Sequence, residues 1–212
     1  MAVYDLEEQE QIDELKAWWN SYGNTVLTVV IVASLTVSGV IGWRAYSDRQ
    51  ALDAGELYVQ LQGAVGAGDP KKVQDIAAAI ADKYPRTGYA QFAELAAAKA
   101  AFDSGNLAEA RTRLQWVIDH ARDDGTRDLA RLRLAVALLD EKKYDDALAA
   151  LKSPPVDAMA VLYADLRGDV LAAQGKPGDA RGAYQLALDK SDAKSPYRGV
   201  IQAKLDSLGE AK

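Results

Sequence analysis

The chain contains no cysteine and only one histidine, His120. The first absence excludes a disulfide scaffold, a thiol nucleophile and every thiolate-held zinc or iron–sulfur centre, and the second leaves few imidazoles for a transition metal. With six prolines in 212 residues, 49% hydrophobic and 26% charged, the chain is no disordered or collagen-like sequence but one or two folded domains. Basic residues are also in deficit, 25 against 31 acidic for a net charge of -6. Nucleic-acid binding needs a clustered positive surface and is not expected.

Catalytic patterns are missing too: no Gly-rich phosphate loop, metal-ligand spacing or nucleophile elbow is present. The acidic pairs Asp123-Asp124 and Asp145-Asp146 point in different directions on a helix and lack a third orienting group, so they read as cap or solvated charges. His120 falls near a helix C-terminus, where imidazole meets the helix dipole favourably. The expectation is a non-enzyme with no cofactor and no metal.

What is present begins with an uneven charge distribution. Residues 1–24 carry six acids (Asp5, Glu7, Glu8, Glu10, Asp13, Glu14) and one base, Lys16, so the acidic balance belongs to this leader. Thr25 to Trp43, TVLTVVIVASLTVSGVIGW, then runs 19 residues without a charge. At about 1.5 Å per helical residue that covers roughly 28 Å, close to the hydrocarbon thickness of a bilayer. Trp18, Trp19 and Tyr22 on one side and Trp43 and Tyr46 on the other resemble interfacial aromatic belts. A cleavable signal peptide would have a short basic start and a shorter apolar stretch, so this segment is expected to remain as a transmembrane helix. Lys16 precedes it and Arg44 and Arg49 follow, a balance that leaves orientation open. Ser34, Ser38 and Gly42 recur every four residues and form a candidate face for packing against another transmembrane helix. Upstream, Ile12, Leu15, Trp19 and Tyr22 make an apolar stripe amid acids, either a solvated tail or a contact for a basic protein surface.

Beyond Arg44 the sequence repeats. GDPKKVQDIAAAIADKYP, GNLAEARTRLQWVIDHA, KKYDDALAALKSPP and GKPGDARGAYQLALDK align at Gly68, Gly105, Lys142 and Gly175, with offsets of 37, 37 and 33 residues. A helical run precedes each break (Ala51 to Val65, Tyr89 to Asp103, Asp128 to Glu141, Met159 to Gln174) and another follows. Five residues past each break lie Val73, Ala110, Ala147 and Ala180, small or modest positions where paired helices can approach. Asp69 with Pro70, and Asn106 with Glu109, have N-cap spacing, and Ser195-Pro196 opens a last helix ending near Gly209. Pro154-Pro155 shortens the second helix of the third pair.

Helix pairs of about 34 residues are the pattern of tetratricopeptide repeats, so the expected fold is all-α: a single N-terminal transmembrane helix followed by a tetratricopeptide-like helical-repeat solenoid. The expected division is 1–24, an acidic tail; 25–43, the transmembrane helix; and 44–212, the repeat domain. In that register the first helix of each pair lines the concave face, which places Tyr58, Val65, Phe92, Leu95, Phe102, Leu132, Val136 and Leu139 on a candidate protein-binding surface. The same residues could instead be internal packing. Trp116-Val117-Ile118 is expected in the core between repeats.

The order of parts, YDLEEQEQIDELKAWWNSYGN, one span ending GWRAY, then YAQFAELAAAKAAFDSGNLAEARTRLQWVIDHARDDGTRDLARLRLAVALLDEKKYDDALAAL, resembles the YfgM-type ancillary SecYEG translocon subunit family. LQWVIDHA and LARLRLAVALL carry the resemblance most specifically. It implies a single-pass protein of the cell inner membrane, its N-terminus cytoplasmic and its repeat domain periplasmic. The implied partners are the SecYEG translocon, a membrane-anchored periplasmic prolyl isomerase of PpiD type, periplasmic chaperones and unfolded client chains. The implied function is to link emerging chains to those chaperones. Alternatives are regulation of an envelope stress response and a purely structural adaptor for a translocon–isomerase complex.

Overall fold

The computed structural model describes residues 2–209, with side chains from Glu8 onward. Its elements are α1 (Ala2–Gly66), α2 (Pro70–Lys83), α3 (Gly88–Asp103), α4 (Leu107–His120), α5 (Asp124–Asp140), α6 (Tyr144–Ala150), a 3₁₀ turn (Asp157–Met159), α7 (Ala160–Ala173), α8 (Pro177–Lys190) and α9 (Tyr197–Ser207). No strand occurs among the described residues. Two compact units are distinguishable, Met1–Arg49 and Gln50–Lys212.

The first unit is helix alone. Leu27, Val30, Ile31, Leu35 and Ile41 point outward with nothing to cover them. A soluble helix buries one stripe and wets the other; here the apolar surface runs all round. Among the described residues, this helix is the one long and apolar enough to cross a membrane. Its aromatic groups are themselves paired, Trp18 with Tyr22 at 5.9 Å between ring centroids and Trp43 with Tyr46 at 6.1 Å. Trp19 lies over Gly23, where an added Cβ would meet the indole at 3.0 Å.

The second unit is built from helix pairs, the two helices of each pair joined by one of four copies of the same turn. At Gly68, Gly105, Lys142 and Gly175 the backbone takes φ of 66°, 79°, 59° and 77°, the left-handed conformation that ends a helix. Each turn is closed by the same two hydrogen bonds. In the second, Gly105 N–H donates to the Phe102 carbonyl at 2.9 Å and Asn106 N–H to the Ala101 carbonyl at 2.8 Å; in the third, Lys142 donates to Leu139 at 2.9 Å and Lys143 to Leu138 at 2.8 Å. The repeat breaks read from the sequence are therefore one backbone motif, and Lys142 occupies it without the conformational freedom of glycine.

The next helices start as their sequences dictate. Asp69 accepts from Lys72 N–H at 3.0 Å with Pro70 at the first helical position, and Asn106 accepts from Glu109 N–H at 3.2 Å. The reciprocal arm of a capping box is not used there: Asn106 N–H is already spent in the turn, and the Glu109 carboxylate pairs with Arg113 instead. Asp123 is the cap of α5, accepting from Thr126 N–H at 2.7 Å, a bond that holds its carboxyl below the usual aspartate value. That cap starts α5 one turn before the expected Asp128.

Packing follows the repeat. Val73, Ala110, Ala147 and Ala180 are all buried, and their small size brings paired helices together. Ala54, Leu61 and Ala64 of α1 pack with Val73, Ala77 and Ile80 of α2 and with Ala90, Ala93 and Ala97 of α3. Polar networks are buried within this frame as well. Glu94 is buried, and both of its carboxylate oxygens accept from Arg113 Nη1 at 3.1 Å. Burial pushes the Glu94 carboxyl above its ordinary value, with Arg113 opposing. Between α7, α8 and α9, Lys204 donates to Asp165 and Asp169, each at 2.8 Å; Tyr197 donates to Asp165 at 2.5 Å and Tyr184 to Asp169 at 2.8 Å. Gly168 lets this layer close, because a Cβ there would lie 2.4 Å from the Tyr184 ring.

Candidate protein-binding face

Helices α1, α3 and α5 each end at one of the left-handed turns, so the last turn of each carries corresponding side chains. Val65, Phe102 and Leu139 all lie three residues before their break. Val65 is half exposed, and it lines a cleft of about 400 Å³ with Pro70 and Val73 of α2 and Ala96 and Ala100 of α3. Phe102 and Val136 line a second cleft, of about 300 Å³, with Ala98 and Leu114. Lys99 and Asp103 border both clefts and pair with each other at 2.5 Å, so the two open on either side of one ion pair on the last turn of α3. The walls are aliphatic and aromatic, the rim polar, which is the composition of a site for apolar side chains.

The other expected surface residues divide. Phe92 is half exposed, and Tyr89, one turn of chain away, stands 5.4 Å from Tyr58, itself partly buried against the α1–α3 core. Leu132, Val136 and Leu139 are partly buried against the cluster formed by α5, α6 and α7, so they carry packing as well as surface. Leu95 is an interior residue, 5% exposed, packed with Leu114, Val117 and Ala130. It faces α4 and α5, and the expectation that it lines a groove is corrected. Ser34, Ser38 and Gly42 are exposed on α1, and a Cβ at Gly42 would meet nothing within 4 Å. Trp116 bridges the α1–α3 core and the α3–α5 core, and stacks on His120 with ring centroids 4.3 Å apart. The imidazole Nδ1 lies 2.8 Å from the Trp116 carbonyl and therefore donates to it.

Sequence reading missed Arg133, which borders the second cleft beside Phe102 and Val136. Its spacing, three residues before Val136 on α5, is the only signal it gave, since nothing local distinguishes it from its neighbour Arg131, which pairs with Asp128 at 3.2 Å. No group of three or more metal-ligating side chains converges among the described residues.

A tetratricopeptide repeat-like domain matches residues 16–210. An ancillary SecYEG translocon subunit of Neisseria gonorrhoeae (strain ATCC 700825 / FA 1090) is 37% identical over 98% of this chain and 100% of its own length. The chain belongs to the ancillary SecYEG translocon subunit family. Its relative of the same description in Escherichia coli (strain K12) is 29% identical over 98% of this chain and 99% of its own length, and that in Haemophilus influenzae is 28% identical over 87% and 90%. The family is a non-enzymatic, adaptor-type one, and its repeat-like domain accords with the helix pairs described above. A solved structure, a MamA RS-1 ArsTM double mutant, superposes with a TM-score of 0.54 at 19% identity, over 73% of this chain and 86% of that one. That likeness concerns the fold alone.

Proposed function

We propose that this chain is a single-pass accessory of the SecYEG translocon in the cell inner membrane, with residues 1–24 cytoplasmic, residues 25–43 spanning the bilayer and residues 44–212 in the periplasm. Its repeat domain takes up apolar segments of chains leaving the translocon and passes them to periplasmic chaperones, alongside a membrane-anchored prolyl isomerase. The observation that carries the reading is the full-length similarity to ancillary SecYEG translocon subunits. The uncovered apolar stretch of α1 and the two apolar clefts at the ends of α1 and α3 support it. Clefts without reactive groups suit an exchange factor, which must hold a segment through side-chain pockets and let it go.

The test has two parts. Protease added to spheroplasts with intact inner membranes should digest the repeat domain while a cytoplasmic control survives; protection until lysis would sink the topology. A photo-crosslinker at Phe102 should then capture translocating chains, and one at the exposed Leu186 of α8 should not. Phe102→Asp and Leu139→Asp should weaken capture by neighbouring probes with helicity retained. Equal capture from Leu186 would remove the face from the function.

A further inference from the structure

Ahead of the apolar stretch, α1 carries the stripe Ile12, Leu15, Trp19 and Tyr22, and all four side chains are more than half exposed. The helix runs unbroken through this segment into residues 25–43. With those residues in the bilayer, as proposed above, Tyr22 and Trp19 fall within the headgroup layer and at its edge. Leu15 and Ile12 come 10 and 13 residues before Thr25, which at about 1.5 Å per residue sets them roughly 15 and 20 Å beyond the hydrocarbon. The headgroup layer is only about 5–8 Å deep on each side, so lipid does not cover these two.

The spacing names what does. Steps of three, four and three residues are those of positions a and d in a heptad abcdefg, with Ile12 and Trp19 at a and Leu15 and Tyr22 at d. The register continues into the apolar stretch as Val26, Val29 and Ala33. Isoleucine at a beside leucine at d is the combination that favours two parallel strands. Charge then decides between a like helix and a basic protein surface. Glu10, Asp13 and Glu14 take the outer positions f, b and c, behind the stripe, where a basic surface seated on the stripe would not meet them. The flanking e and g positions hold Gln9, Gln11, Trp18 and Lys16, and Lys16 is paired with Asp13 at 3.0 Å. The edges of the stripe therefore carry no unpaired charge, and two copies can close on it without bringing carboxylates together. Glu8, at the preceding d position, would set carboxylate against carboxylate and marks where the seam stops.

We propose that the apolar stripe of residues 12–22 is the seam of a parallel two-stranded coiled coil formed with a second copy of this chain. Copies held in one membrane in the same orientation present the stripe at the same depth and in the same direction, so the contact is isologous about an axis normal to the bilayer. Ser34, Ser38 and Gly42 fall at the outer positions b, f and c, and their face stays open to another transmembrane helix when the seam is filled. This pairing rests on the reading of residues 25–43 as a span and is independent of the side on which the repeats lie.

The chain has no cysteine, so a single introduced thiol reports on one position. Cysteines placed in turn at positions 9 to 22 of the full chain, in inner-membrane vesicles treated with copper phenanthroline, should give disulfide-linked dimers whose yield recurs every 3.5 residues or about that. The yield should be greatest for Ile12→Cys, Leu15→Cys, Trp19→Cys and Tyr22→Cys, and least for Glu10→Cys, Asp13→Cys and Ala17→Cys. Leu15→Glu should abolish the dimer formed by Ile12→Cys, whereas Glu14→Gln should leave it unchanged. A yield that is flat along the helix reports random collision and would overturn the proposal, as would maxima on the acidic face or links to other proteins in place of the dimer. An alkaline carbonate wash of the same vesicles separates the two levels: a chain that stays in the membrane without crosslinking overturns the pairing alone, and release by carbonate overturns the span beneath it.

Discussion

Where α1 meets α2 and α3, the contact is made of Ala54, Leu61, Ala64, Val73, Ala77 and Ile80, aliphatic and mostly small. Where α7 meets α8 and α9, two aspartates, a lysine and two tyrosines enter the contact beside Val161, Leu171 and Ile201. Both contacts hold the outermost described helices onto the repeat unit. One does so by close packing, which depends on volume and is indifferent to charge. The other uses charged hydrogen bonds, which fix the position of α9 but depend on every partner keeping its proton state.

The difference can be tested by perturbing each end in the other's terms. Ile80 is fully buried, so Ile80→Ala should cost about 4 kcal/mol, the cost of lost burial plus a cavity, measured by urea unfolding. A loss under about 1 kcal/mol would mean that the first end is loosely packed. Lys204→Met should cost about 3 kcal/mol, because it leaves Asp165, whose side chain is 4% exposed, without its cation. Adding Asp165→Asn to that variant should recover most of the loss; additive losses would show that the pair is not coupled.

Alkaline pH sharpens the same contrast. Burial, then the bonds to neighbouring carboxylates, pushes the Tyr184 and Tyr197 phenols above their ordinary value. Desolvation works against the Lys204 ammonium, but Asp165 and Asp169 outweigh it and its pKa also rises. All three groups keep their protons longer folded than unfolded. The stability they contribute is therefore present below about pH 10 and lost as pH rises beyond the ordinary tyrosine and lysine values. Tyrosinate absorbance should lag behind that of the urea-unfolded chain, and Lys204→Met should flatten the fall in stability above pH 10. The smallest effect is a gain: Lys142→Gly should stabilise by about 1 kcal/mol, since φ of 59° strains a residue with a Cβ. No change in the melting temperature would mean that the Lys142 side chain offsets the strain.

The framework was legible because it depends on local chemistry. Helix ends show as Gly, Asp, Asn and Pro at fixed offsets, and close approaches as alanine five residues on. The short α6 follows from Pro154-Pro155. Side-chain partnerships were less legible, because they join residues far apart in the chain: Glu94 meets Arg113 across the second helix pair, and Asp165 meets Lys204 across 39 residues. Of the groove residues, Phe102, Val136 and Val65 border clefts, but Leu95 shares their apolar character and faces inward; hydrophobicity cannot distinguish the two sides of a helix that is apolar on both. Arg133 was invisible because what marks it is its place beside the second cleft, a property of the fold and not of the letter.

The four left-handed turns have a further consequence for construction. Asp69–Gly105 and Asn106–Lys142 are each 37 residues long and each begins and ends in the same backbone conformation, with φ of 66°, 79° and 59° at the three junctions. Each is a cassette whose ends fit its own copy. Inserting a second Asn106–Lys142 should yield a repeat unit with one more helix pair and another left-handed joint, and the number of such joints, not the total length of the chain, would set how many pockets that unit presents.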